Sequence, residues 1–118
     1  MIQRTLLTAA ALALLLAAPA RAENAALTQD LKCLALSFTM LKSDDPKVAD
    51  AGKTVAFYYL GRIDARDPSV DLVARFSDPA MQLSPDDMKA VATICAGQLS
   101  KRGQELNAAS KELAARGF

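Results

Sequence analysis

The 118-residue chain contains no histidine, and that absence removes a large share of ordinary protein chemistry. Histidine is the commonest general base, the usual zinc and haem ligand, and the side chain that switches charge near neutrality. Without it Ser37, Ser43, Ser69, Ser77, Ser84, Ser100 and Ser110 lack the partner that turns a hydroxyl into a nucleophile. Paired carboxylates exist at Asp44-Asp45 and Asp86-Asp87, but both pairs stand at proline-marked helix starts, where capping accounts for them. No alternation bounded by hairpin signals marks a strand, so no glycine-rich phosphate loop follows one. Met40, Met81 and Met88 have no histidine or free thiol to join them in a soft-metal site and read as gap fillers. The sequence assigns no catalytic residue, no metal and no cofactor, and an enzyme is not expected.

Charge of one sign is missing too. The formal net charge is +1, which gives no electrostatic reason to bind nucleic acid or anionic lipid. There is no internal repeat, low-complexity tract or second domain. What is present begins with an address. Residues 1–22 combine a basic start at Arg4, an apolar run from Leu6 to Ala18 and a small-residue exit, Ala20-Arg21-Ala22. That is the layout of a secretory signal peptide. The run is shorter than the roughly twenty residues a membrane-spanning helix needs, so cleavage is expected rather than an uncleaved anchor. Residues 23–118 then form one helical domain in the periplasm or outside the cell, with twelve basic and thirteen acidic residues. Stable membrane insertion after cleavage is not expected.

Cysteine is scarce as well. Cys33 and Cys95 are the only two, and an exported chain carries them into an oxidising compartment where such a pair closes. An intramolecular disulfide is the leading reading; buried free thiols and an intermolecular bridge are the alternatives. The C-x-x-C spacing of a redox-active pair is absent.

The rest of the chain reads as helix. Leu27, Leu31, Leu34, Phe38 and Leu41 recur at helical spacing from about Ala25 to Lys42, with Cys33 beside the stripe. Asp45-Pro46 starts a second helix to about Arg66, with Val48, Ala51, Val55, Ile63 and one of Tyr58 and Tyr59 on one side. Asp67-Pro68 repeats the signal and predicts a short helix through Phe76, with Val70, Val73 and Phe76 inward. Ser77-Asp78-Pro79 breaks the helical pattern, and Ala80 to Leu83 is expected to form a turn or a single helical turn.

The last helix, Ser84 to Phe118, has Ser84 as N-cap, Pro85 at the first helical position and Gly117 as terminator. Its apolar seam is Met88, Ala92, Cys95, Leu99, Leu106, Ala109 and Leu113, interrupted by Arg102, and Gly97 and Gly103 suggest a bend or close helix contact. The fold class expected is all-α, a small four-helix bundle closed by one disulfide. Of Gly52 and Gly61, only Gly61 is expected to mark close helix packing.

The densest cluster of unusual side chains is Tyr58, Tyr59, Arg62 and Arg66. The arginines share a helix face, and like charges there oppose each other unless an anion lies between them. Asp67, a carboxylate from another helix, or a bound phosphate or sugar acid are the candidates. Tyr58 and Tyr59 point about 100° apart, so one should be buried and the other partly exposed as a contact anchor.

The export signal, Cys33-Leu34-Ala35, the run Tyr58-Tyr59-Leu60-Gly61-Arg62-Ile63-Asp64, and Cys95 followed by Arg102-Gly103 together resemble small exported helical proteins of unknown function from alphaproteobacteria, sphingomonads in particular. That resemblance implies no activity. A fainter similarity is to periplasmic acid-stress chaperones of the HdeA type, helical proteins in which one disulfide joins two helices and the second cysteine follows a Thr/Ser-Pro helix start. It implies Cys33 and Cys95 as bridge partners, although the interval between cysteines and the final helix are longer here. The functional expectation is a non-enzymatic exported protein that binds an envelope protein or protects clients under stress, with a homodimer also in view. The alternative is a binder of a small anionic envelope ligand through Arg62 and Arg66.

Overall fold

The computed structural model describes residues 6–118, with side chains described from Asn24 onward. The predicted signal peptide, residues 1–22, therefore lies outside the residues whose side chains are described. Among the described residues there are four α-helices, one 3-10 turn, no strand and one disulfide. The helices are α1 (Leu6–Leu41), α2 (Pro46–Arg66), α3 (Leu72–Ser77) and α4 (Pro85–Ala115), with the 3-10 turn at Pro79–Met81. No described helix is long and apolar enough to cross a membrane.

Helix starts follow local chemistry. Asp45 caps α2 by accepting from the Lys47 amide, and Pro46 occupies the first turn, where a missing N–H costs nothing. Ser84 caps α4 in the same way: its hydroxyl accepts from the Asp87 amide and donates to the Asp87 carboxylate at 2.7 Å. The far end of α4 closes with Gly117 at φ 89°, the amide of Gly117 on the Ala114 carbonyl and that of Phe118 on the Leu113 carbonyl. Those two bonds form a Schellman cap, which glycine reaches without steric cost.

The predicted start at Asp67-Pro68 is overturned. The Asp67 amide bonds the Ile63 carbonyl as the end of α2, and its carboxylate accepts from the Ser69 amide and hydroxyl, so residues 67–71 are a turn. Asp71 caps α3 instead, through the Ala74 amide. The inward set changes at one position: Val70 and Phe76 pack on the core as expected, Leu72 joins them, and Val73 is 78 % exposed.

The core forms where α1, α2 and the first half of α4 meet. It contains Leu31, Cys33, Leu34, Tyr59, Ile63, Met81, Val91 and Cys95. α1 and α2 pair antiparallel, with Met40 and Leu41 beside Gly52 at one end and Asp30 beside Arg62 and Arg66 at the other. A Cβ on Gly52 would stand 2.8 Å from the Cβ of Met40, closer than side-chain carbons approach. Gly52 is therefore the glycine that permits close helix packing, and Gly61, with nothing within 4 Å of such a Cβ, is not. The Cys33–Cys95 disulfide ties α4 to α1. α3 is held by an edge-to-face contact between Phe76 and Phe38 at 5.5 Å, and a cleft of about 190 Å³ opens between Leu36 and Thr39 on one side and Met81 and Met88 on the other.

The seam predicted along the whole of α4 divides at its middle. Val91 and Cys95 are buried, with Met88, Ala92 and Leu99 half-buried around them. Every residue from Ser100 to Phe118 is exposed, Leu106 at 70 % and Leu113 at 48 %. Gly97 and Gly103 face open space, so neither marks a helix contact.

Candidate functional site

The residues carrying unusual chemistry gather around one buried carboxylate. Asp30 lies three residues after Leu27 and four before Leu34, within the apolar face that α1 turns to α2. It is fully buried. An unpaired charge there would cost several kcal/mol or lose its ionisation, and α2 supplies the partners. Arg62 and Arg66, one turn apart, straddle it: Arg62 Nε donates to Oδ1 at 2.9 Å and Arg66 Nε to Oδ2 at 2.8 Å. Of the three anions the sequence allowed between these arginines, the one present is a carboxylate from another helix.

Both arginine side chains remain about one-third exposed, 32 % and 33 %, so each bridges core and solvent. Arg62 Nη1 also donates to the Tyr58 hydroxyl at 3.3 Å, and its guanidinium carbon lies 5.7 Å from the Tyr58 ring centre and 6.0 Å from that of Tyr59. Burial alone would lower the Arg62 pKa. The bonds to Tyr58 and Asp30, with the Asp30 charge, outweigh it and raise the value above that of a free arginine.

Tyr59 is the buried member of the tyrosine pair and Tyr58 the half-exposed one, with ring centres 5.0 Å apart, edge to face. The Tyr59 hydroxyl reaches α4, 2.9 Å from Gln98 Oε1 and 3.1 Å from the Cys95 carbonyl. One phenol hydrogen is thus shared by two acceptors beside the disulfide. Burial, followed by the field of Tyr58, pushes its pKa up to about 12 against a smaller opposing effect of Arg62. The phenol stays neutral near pH 7 and is a structural donor, because the phenolate that could act as a base does not form there.

On the α4 side of Arg62 the surface opens into a cleft of about 200 Å³ lined by Tyr58, Arg62, Gln98, Lys101, Arg102 and Glu105. Three cations face one carboxylate, and Glu105 pairs with Arg102. Among the described residues no group of three metal-ligating side chains comes together, and every buried side-chain nitrogen and oxygen has a hydrogen-bond partner.

The chain matches no protein-family model, no curated protein and no solved structure. The functional assignment rests on the residues themselves.

The structure brings Tyr58, Tyr59, Arg62 and Arg66 together on α2, and the Tyr59 hydroxyl reaches the carbonyl of Cys95, which is bridged to Cys33. Arg66 is turned to Asp30 and does not line the α4 cleft. Sequence reasoning missed Asp30, Gln98 and Lys101. A signal for Asp30 existed: an acidic residue at helical spacing inside the Leu27, Leu31, Leu34 stripe is a charge on a core-facing surface, which demands a cation opposite.

Proposed function

We propose that this chain is an exported, disulfide-clamped helical protein whose role is to bind another protein of the cell envelope, with the second half of α4 as the recognition element. The observation carrying this reading is the exposure of the whole segment from Lys101 to Phe118. Leu106, Ala109 and Leu113 fall at i, i+3 and i+7 on one side of it, the spacing by which an amphipathic helix enters a partner's groove. Phe118, 92 % exposed, extends the apolar surface to the chain end. Export is supported by the leader-like segment and by a disulfide, a bond rare in reducing compartments.

A photo-crosslinking residue at position 113, with position 111 on the opposite side of the helix as control, tests the reading in the native envelope. The expected result is one adduct of discrete mass from position 113 that is absent from position 111. Equal labelling from both positions, or no adduct from position 113, contradicts it.

An acid-stress chaperone, toward which the HdeA-type similarity points, is a special case of the same function. Protonation of the carboxylates at about pH 2 to 3 would leave a strongly positive, expanded chain exposing its helix seams. Suppression of client aggregation at that pH and at neutrality decides it, and protection at neither pH removes the chaperone version.

A further inference from the structure

We propose that the cleft between α2 and α4, lined by Tyr58, Arg62, Gln98, Lys101, Arg102 and Glu105, is a binding site for a small oxyanion, a phosphate or phosphate ester. The selectivity of the cleft follows from which atoms the fold has already used. Each side chain that carries an acceptor in the cleft already takes one hydrogen from within the protein, and the second Glu105 oxygen, Oε1, is the acceptor left over. Gln98 Oε1 takes the Tyr59 hydroxyl at 2.9 Å, the Tyr58 oxygen takes Arg62 Nη1 at 3.3 Å, and Glu105 takes Arg102.

Apart from that one oxygen, what remains is a set of donors. Tyr58, having accepted from Arg62, keeps its own hydroxyl hydrogen, and Gln98 keeps its amide hydrogens. Lys101 contributes three ammonium hydrogens, and the guanidinium of Arg62 or Arg102 has more donors than its partners consume. A lining that offers hydrogens and a net charge of about +2 selects a ligand that is all acceptor and negative. A cleft of about 200 Å³ is below the roughly 300 Å³ at which pockets for drug-sized molecules begin. It suits a single phosphate group with few attached atoms.

The site is also pre-aligned. Asp30, buried behind α2, fixes Arg62 through Nε, so the guanidinium edge bearing the Nη atoms is oriented before any ligand arrives, which lowers the ordering cost of binding. Asp30 is a positioning residue, and Arg62, Lys101 and Arg102 supply the charge. This differs from an anion held between Arg62 and Arg66, because the space between those two arginines belongs to Asp30.

The test uses the full exported chain, oxidised and isotopically labelled, titrated with inorganic phosphate. A parallel arm measures co-sedimentation with vesicles of phosphatidic acid and of phosphatidylcholine. Saturable movement of the Gln98, Lys101 and Arg102 amide resonances is expected, with affinity falling about tenfold or more in a Lys101→Gln, Arg102→Gln variant. Both residues are exposed, so the variant should retain the parent melting temperature. Tyr58→Phe, which removes one donor and no charge, should weaken binding by a smaller factor.

Retention of phosphatidic acid vesicles but not phosphatidylcholine vesicles, without response to free phosphate, assigns the lipid headgroup as the source. The reverse assigns a soluble phosphate. The proposal is overturned if neither ligand binds, if sodium chloride at equal ionic strength produces the same resonance shifts, or if the double variant binds phosphate as tightly as the parent.

Discussion

Asp30 joins α1 to α2 through two arginines. It is buried, each of its oxygens meets one arginine, and both arginines retain access to water. Replacing a well-paired buried carboxylate with an amide leaves two cations facing a neutral group, and breaking such a pair costs about 3 to 5 kcal/mol when both partners are enclosed. Solvent reaches the arginines here, so Asp30→Asn should cost about 2 to 3 kcal/mol. Urea unfolding checks it: a lower midpoint with an unchanged slope is expected, and an unchanged midpoint contradicts the assignment.

Tyr59 makes a second prediction with a definite sign. Its pKa is 10.0 when free and about 12 when folded. Between those values the unfolded chain has lost a proton that the folded chain still holds, so stability falls as pH rises. The contribution is complete below about pH 10 and lost by about pH 12, amounting to about 2 to 3 kcal/mol. In Tyr59→Phe this slope disappears. If parent and variant lose stability equally between about pH 9 and pH 11.5, the phenol is not the responsible group.

At the scale of elements, the two interior glycines of α2 separate packing from propensity. A Cβ at Gly52 meets Met40 at 2.8 Å and the Leu41 amide nitrogen at 3.0 Å, whereas one at Gly61 meets nothing within 4 Å. Gly52→Ala should therefore destabilise by about 1 to 3 kcal/mol through overpacking. Gly61→Ala should stabilise by about 0.5 to 1 kcal/mol through helix propensity alone. Thermal unfolding of the two variants should move in opposite directions.

The same contrast explains what was legible beforehand. Caps are local, so Asp45-Pro46, Ser84-Pro85 and Gly117 place helix ends correctly from sequence. Asp67-Pro68 misleads because one aspartate can start a helix or close a turn, and the choice depends on where the end of α2 directs its carboxylate. Gly52 and Gly61 are alike in sequence and differ only in what lies across the interface. α4 misleads in another way, since periodic leucines at positions 99, 106 and 113 describe a face without saying what covers it. The arginine pair was visible as a frustrated cluster, and its partner Asp30 needed the register of α1 against α2.

For the whole molecule the organising bond is Cys33–Cys95, which spans 62 residues of sequence. The chain-entropy estimate for such a loop is about 4 kcal/mol, a large part of the 5 to 15 kcal/mol that holds a typical domain. Reduction, or the paired change Cys33→Ser and Cys95→Ser, should lower the unfolding free energy by an amount approaching that figure, read from the urea midpoint and slope. The clamp sits in the first half of α4, one turn before Leu99, beyond which the helix belongs to the core no longer.

Hydrogen exchange on the oxidised protein at high dilution, followed residue by residue along α4, tests that division most directly. Slow exchange at Val91, Cys95 and their neighbours should give way to fast exchange beyond about Lys101, because every residue of the distal turns is exposed. Protection continuing through Leu106 and Leu113 in the dilute monomer would mean that the distal half packs against its own chain, and it would not then be free to receive a partner.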